Sequence, residues 1–533
     1  MPTRAARSSR PSAHAAVLAA ALPAVLAAAL SICAVSLSAQ QTFAPPPGVS
    51  APAPRTWAAM READLKRDLF AMASPAMRGR EGGTLDEMKA SIWVAEQYAK
   101  IGLVPMGEDG TWFQWFNITR TRVSSTASAA SVAGKALVVN RDLVPLTGFP
   151  VDASGQVLWL ANPLDTAIDV RGRIVATPVQ VPPPAAVRTT SYPTRVRYAE
   201  AATAATLRTL TRRGALAILV VAGDSVDAAF DAIAVQRERG SYDVDRATPR
   251  GYGQSDRVAA PPVAGAGATP AFLVRAALGA TLREQPMAML SVRLERFDVP
   301  SVNVIAGLRG TDPLLRNEWV LYSSHQDANG VRQLANGDSV LAGADDNASV
   351  SVAQFAAARA FVAQRPKRSL LFVHQGSEER GLLGSRYHSA HPMVPLANIV
   401  AVLNGDMIGR NHPDTAALLG AQPPHRGSAD LVQWALAANA RTGKFVIDTL
   451  WDRPTHPEGW YFRSDHAPYA RLGVPALMYT TNLHDDYHTA GDTPERIDYP
   501  KLLRMTQWMY LTGWYAANAA KRPAVDPGFR LER

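Results

Sequence analysis

Five short stretches of this 533-residue chain carry histidines and carboxylates in a pattern that suits a metal centre. LYSSHQDANG places His325 and Asp327 just past the apolar run Val320-Leu321-Tyr322. LAGADDNA sets Asp345 and Asp346 at the start of a helical segment, 347–361. HQGSEERGLLGS supplies the adjacent pair Glu378 and Glu379, and LNGDMIGRN supplies Asp406. NLHDDYHTAGDT supplies His484, Asp485, Asp486 and His488. That many carboxylates share one crevice only if cations neutralise them. Two histidines with three carboxylates suit two borderline metals, zinc first among them. Such a site needs one carboxylate that bridges the metals and a spare one to take a proton from the attacking water. Neighbouring side chains diverge, so of Glu378 and Glu379 one can bind metal while the other faces substrate.

These residues must be brought together from some 160 positions of chain, and the pattern after Ser301 does this. Strands are expected at 302–306, 319–323, 370–374, 399–403 and 476–479, and helices at 348–361, 428–442 and 500–519. Leu502, Met505 and Met509 share a face of the last helix. The alternation predicts an α/β fold, a mainly parallel mixed sheet flanked by helices. The loops at the carboxyl ends of such strands line one crevice. An earlier helix begins at Thr84, which has capping-box spacing to Glu87. It presents Leu85, Met88, Ile92, Ala95 and Ala99 as its apolar face and ends at Gly102. An aromatic strand follows at 111–116. Residues 122–297 differ in texture, with short strands at 156–160, 172–176 and 216–222, a helix at 202–213, and irregular Pro-rich stretches at 182–184 and 259–270. They hold no cluster of histidine and acidic residues and read as an inserted β-rich module between the two parts of the main domain, 56–121 and 298–525.

Residues 1–39 have the form of a secretory signal: Arg4, Arg7 and Arg10, an Ala/Leu/Val run, then small residues before Gln40. The expected location is secreted or periplasmic, with no stable membrane span after cleavage; an uncleaved membrane anchor is the alternative. Residues 40–55, rich in Pro, Ala and Ser, are expected to be a flexible leader. The single cysteine, Cys33, leaves with the signal, so no disulfide is possible afterwards. Loss of the three arginines takes the formal charge from +9 to +6. The remaining basic residues are scattered, which argues against nucleic-acid binding.

The five motifs, in this order, resemble the dinuclear-zinc aminopeptidases of the bacterial leucyl aminopeptidase type. The likeness extends to RGREGGT at 78–84, SVNVIAGLRG at 301–310, and GRIV at 172–175 with RRGALAILVV at 212–221, pieces similar to the protease-associated (PA) insert of larger members. The resemblance implies two Zn2+ per chain. His325 and Asp406 would hold one, Glu379 and His488 the other, and Asp345 would bridge them. Glu378 would be the general base, and Asp327 would orient His325. Asp346 would be a further supporting carboxylate, joined to Asp345 by a cis peptide. Tyr487 is a candidate for stabilising the oxyanion. The implied reaction is removal of N-terminal residues from peptides or proteins with a free N-terminus, by a metal-bridging hydroxide. Ser464-Asp465-His466 is expected to form wall structure, Asp492 to brace its loop, and His374, His412 and His484 to be surface or loop residues. Gln326, Val350 and Gly376-Ser377 depart from the family pattern without removing a ligand. The rival readings are a carboxypeptidase using Arg463 or Arg410, a one-zinc glutaminyl cyclase relative, and a non-catalytic receptor-like protein. The oligomeric state is not legible.

Overall fold

Beside the strand that leads to His325, the sequence puts long apolar runs, and these assemble into the centre of a ten-stranded sheet. The structure is a computed structural model describing residues 45–49, 51–180, 192–244, 269–334 and 337–532. The expected signal segment and most of the two Pro-rich stretches lie outside them. Strands Ser369–Gln375, Trp319–His325, Ile399–Gly405 and Ala476–Thr480 pair in parallel and are buried throughout. Burial on both faces explains why they read as continuous apolar runs rather than alternating ones. Flanking this core the pairing is antiparallel: Leu294–Leu308 and Phe113–Val123 on one side, Thr415–Leu419 on the other. The sheet is therefore mixed, parallel at its centre and again at one edge, where Val446–Asp448 pairs in parallel with Thr415–Leu419.

Helices Ser349–Ala363 and Tyr499–Asn518 cover one face, with Phe361 packed on Tyr510. Gly513 lies where the last helix crosses the sheet. A Cβ there would collide with the hydroxyl of Tyr322, which donates to the Met509 carbonyl at 3.1 Å. Among the described residues, no helix is long and apolar enough to cross a membrane.

Residues 129–292 build a second, eight-stranded sheet with its own core. Helices Tyr192–Leu210 and Phe230–Arg239 belong with it, through a neighbouring cluster that contains Phe230 and Ile233. One piece departs from this arrangement. Ser241–Val244 pairs with Phe113–Val123 and so joins the main sheet.

Two expectations need correction. The segment expected to be a flexible leader is docked at 46–49 and 51–54. Trp434 and Trp514 donate their indole N–H groups to the carbonyls of Pro47 and Pro52, and Val49 is buried against the end of the last helix. Helix Leu85–Ile101 is turned from its predicted face, leaving Leu85 86% exposed while Glu87, Ala90, Ser91, Val94, Ala95 and Tyr98 are buried. The hydrogen bonds of Glu87 hold that face inward. Gly102 closes the helix in the left-handed region, as expected.

His425 ties the C-terminal segment down. Its Nδ1 lies 2.9 Å from Asp452 Oδ1, its Nε2 lies 2.8 Å from Glu532 Oε1, and its ring stacks on Tyr461. Burial alone would lower its pKa, but the two carboxylates outweigh this and raise it. Its stabilising contribution is therefore complete below the unfolded-state value of about 6.5 and fades as pH rises through the higher folded-state value.

Gly513→Ala should cost about 1–3 kcal/mol by overpacking against Tyr322; an unchanged urea midpoint would mean the helix moves aside freely. The stability gap between the wild type and His425→Gln should be wider at a pH of about 5.5 than at about 8.5. A gap that widens with rising pH would mean that the folded protein lowers the pKa of His425 rather than raising it.

Candidate metal centre

Each motif ends a central strand or opens a helix beside it, and the side chains meet in one buried hollow. His325 is the last residue of its strand, and its Nδ1 lies 3.1 Å from the carbonyl of Asp327, which fixes the ring. Its Nε2 faces Asp346 Oδ1 at 3.3 Å and Glu378 Oε2 at 3.7 Å. Asp406, two residues nearer the C-terminus than Asn404 on the next strand, completes this group. A second group forms around His488, whose Nε2 lies 2.9 Å from Glu379 Oε2 and 3.1 Å from Asp346 Oδ2. Asp346 thus stands between the two histidines, one oxygen toward each.

The predicted bridge, Asp345, is not in this position. Its Oδ1 accepts from the Gly409 amide at 2.7 Å, and its Oδ2 faces His484 Nε2 at 3.4 Å. Consecutive side chains diverge, so only one of the Asp345-Asp346 pair can point into the hollow. Asp492 decides which: it accepts from the amides of both residues, at 2.9 and 3.0 Å. The cis peptide correspondingly joins Asp346 to Asn347, not Asp345 to Asp346.

The supporting contacts are backbone-directed. Asp327 accepts from the amides of Glu378 and Glu379, at 3.0 and 3.3 Å, and its Oδ1 is 3.6 Å from His325 Nδ1. Glu87 reaches the same turn from the opposite side, accepting from the Ser377 amide at 2.9 Å; burial pushes its carboxyl up to about 8. Arg80 is wholly buried and donates to the carbonyls of Met72, Gln326, Ala342 and Gly343. It clamps the loop after His325 to the loop before Asp345. Burial lowers its pKa to about 10, still leaving it charged at neutral pH. Ser377, Met407 and His488 all have positive φ. Each is a ligand candidate or its neighbour, which is where stored backbone strain is found.

The electrostatics follow from burying so much acid. Burial raises the Glu378 carboxyl well above its ordinary value and Asp406 to about 8. Asp346 and Glu379 go the other way, because the histidines beside them outweigh burial. Carboxylates beside them outweigh burial and raise both histidines above the ordinary imidazole value. Yet neither His325 Nε2 nor His488 Nε2 makes a hydrogen bond of acceptable geometry. Two buried imidazole nitrogens aimed at clustered carboxylate oxygens without hydrogen bonding are a donor set that fits borderline divalent cations.

Of the remaining expectations, Tyr487 stacks on the His488 ring at 3.6 Å between centroids, and its hydroxyl accepts from Arg463 at 3.1 Å. His374 is a fully buried strand residue bonded to Tyr98, and His484 is buried against Asp345; neither is a surface histidine, while His412 is exposed. Asp465 is also buried close to Glu378 and Asp406, and burial lifts its carboxyl to about 7. Sequence reasoning missed Arg80, Glu87 and Asn329 as supports. RGREGGT and LYSSHQDANG flagged the right segments, but Glu87 read only as a capping-box partner and nothing local gives Asn329 a role.

Residues 303–512 match the model of peptidase family M28. A probable zinc metalloprotease of Leptosphaeria maculans is 26% identical over 267 residues, covering 43% of this chain and 60% of that protein. Leupeptin-inactivating enzyme 1 of Streptomyces exfoliatus is 31% identical over 176 residues, covering 32% of this chain and 34% of its own. A probable leucine aminopeptidase of Trichophyton verrucosum is 28% identical over 214 residues, covering 38% of this chain and 53% of its own. The chain thus spans only part of the length of the curated relatives it matches. Among solved structures, an aminopeptidase from Aneurinibacillus sp. strain AM-1 superposes with a TM-score of 0.53 at 16% identity, over 89% of this chain and 97% of that one. A zinc aminopeptidase from Bacillus subtilis gives 0.54 at 16% identity, over 88% and 99%. The shared fold is the mixed α/β sheet flanked by helices. The stretch that matches the family model, residues 303–512, contains every candidate ligand, and the chain is similar there to the zinc peptidases of family M28.

Proposed function

We propose that the protein is a secreted zinc aminopeptidase that removes N-terminal residues from peptides. The observation that carries the reading is Asp346, with one oxygen toward each of two histidine-carboxylate groups. His325, Asp406 and Asp346 would hold one Zn2+, and Glu379, His488 and Asp346 the other. Zinc bound there would acidify a water and polarise the scissile carbonyl. Glu378 is the general base: it takes the proton from water and delivers it to the leaving amine. Its raised affinity for a proton suits that exchange. Asp327 keeps Glu378 and Glu379 in place through their amides. Tyr487 would donate to the developing oxyanion, a role supported by the Arg463 bond that holds its hydroxyl.

The acidic wall favours a substrate's α-ammonium over a carboxylate, which supports aminopeptidase action. The two cations that a carboxypeptidase would need are already engaged: Arg463 with Glu458 and the Tyr487 hydroxyl, Arg410 with Asp486. The names of the Trichophyton relative and of the Bacillus and Aneurinibacillus structures accord with this. Secretion rests on the N-terminal signal pattern, and the eight-stranded module is read as the PA-like insert.

Glu378→Gln should lower turnover of aminoacyl arylamides by about 10²–10⁴-fold while zinc per chain stays at the wild-type level. Loss of a zinc instead would make Glu378 a ligand and leave the base unassigned. Asp346→Ala should release metal from both groups, whereas Asp345→Ala should retain it. Equal zinc loss from the two variants, measured by mass spectrometry of the metal, would restore Asp345 as a bridge.

A further inference from the structure

A path of hydrogen bonds runs from the inserted module to one candidate ligand. Helix Phe230–Arg239 packs into the module through Phe230, Ile233 and Ala234. Its last residue, Arg239, reaches out of the module toward the hollow. Arg239 Nη1 donates to Asn329 Oδ1 at 2.6 Å, and Nη2 donates to the Asn329 carbonyl at 2.7 Å. This fork fixes both the backbone and the amide of one residue. With Oδ1 occupied, the Asn329 Nδ2 donates to Glu379 Oε1 at 2.6 Å. The other oxygen of that carboxylate, Oε2, faces His488 Nε2. Arg239 is itself held from behind: Arg120 Nε, on the main sheet, donates to its carbonyl at 2.8 Å, and Ser241–Val244 continues into that sheet.

We propose that Arg239 is a positioning residue. Through Asn329 it holds Glu379 with one oxygen turned toward the pocket shared with Asp346 and His488, so the inserted module sets how tightly that pocket holds zinc. The proposal rests on the reading of those three residues as ligands. A carboxylate pinned at one oxygen presents the other without losing rotamer freedom on binding. The hydrogen-bonded route from Arg239 to Glu379 runs through Asn329.

A double-mutant cycle on the full chain tests this, with Arg239→Met, Asn329→Ser and the two combined. Each variant is loaded with zinc and dialysed against graded chelator, and metal per chain is measured. Arg239→Met should lose one zinc at about 10–100-fold less chelator than the wild type and keep the other unchanged, the usual size of such support effects. Asn329→Ser should lose the same zinc, and the double variant should be no weaker than Asn329→Ser. The urea midpoint of the metal-free Arg239→Met protein should match that of the metal-free wild type, which a merely structural role would not allow. Wild-type protein holding two zincs, with Arg239→Met on the same chelator curve or with losses that multiply in the double variant, overturns the proposal alone. Wild-type protein holding fewer than two overturns the ligand reading and the proposal with it. If circular dichroism shows Arg239→Met unfolded, Arg239→Lys takes its place in the cycle; a smaller loss of the same zinc supports the proposal, and an unshifted curve overturns it.

Discussion

Carboxylates crowded into a buried hollow repel one another, and the rest of this structure is arranged around that repulsion. Asp327, Asp345, Asp346, Glu378, Glu379, Asp406, Asp465 and Asp492 lie within the loops at one end of the central strands. At about 4 Å and an effective dielectric near 20, each like-charged pair costs about 4 kcal/mol. No gain in packing offsets several such pairs. Burial raises the carboxyls of Glu378 and Asp406, and neighbouring carboxylates raise both histidines, so cations held among them would relieve the repulsion.

Three carboxylates that do not point between the histidines are used in one repeated way. Asp327 accepts from two consecutive amides, Asp492 from another two, and Asp452 from those of Gly420, Ala421 and Gln422. A carboxylate gripping successive amides fixes the backbone of a turn and so fixes which side chain points inward. Buried negative charge is satisfied by the same bonds that do the positioning. The turn at Ser377, where φ is positive, is held in this way, and Arg80 binds two of the loops together from behind.

The motifs were legible because each sits just past an apolar run, and the order of strands in an α/β sheet sends those ends to one place. What stayed illegible depended on contacts between distant segments. Spacing cannot tell Asp345 from Asp346; Asp492, about 150 residues away, selects between them. The face of helix Leu85–Ile101 was misjudged because periodicity weighs apolar residues, while here a buried acid, Glu87, bonded to Gly83, Ser301 and Ser377, decides the rotation. His374 and His484 are polar residues at loop-like positions in sequence, yet each fills a buried slot. Pro47 and Pro52 belong to a leader by composition, but two tryptophans on far helices donate to their carbonyls.

Sequence texture set the module at 122–297 apart, but it did not show how that module is attached to the main sheet. Its own sheet is separate, yet it is not tethered by its chain ends alone. Strand Leu294–Leu308 leaves the module and runs on into the main sheet, pairing with Phe113–Val123 along its length. Ser241–Val244 adds a second attachment on the other edge of that same strand. With two attachments and the Arg239 fork in between, the module cannot swing without breaking main-sheet hydrogen bonds. From that fixed position it reaches Glu379, a candidate ligand, through a single asparagine, which is why the charge balance of the hollow is tied to the module in the proposal above.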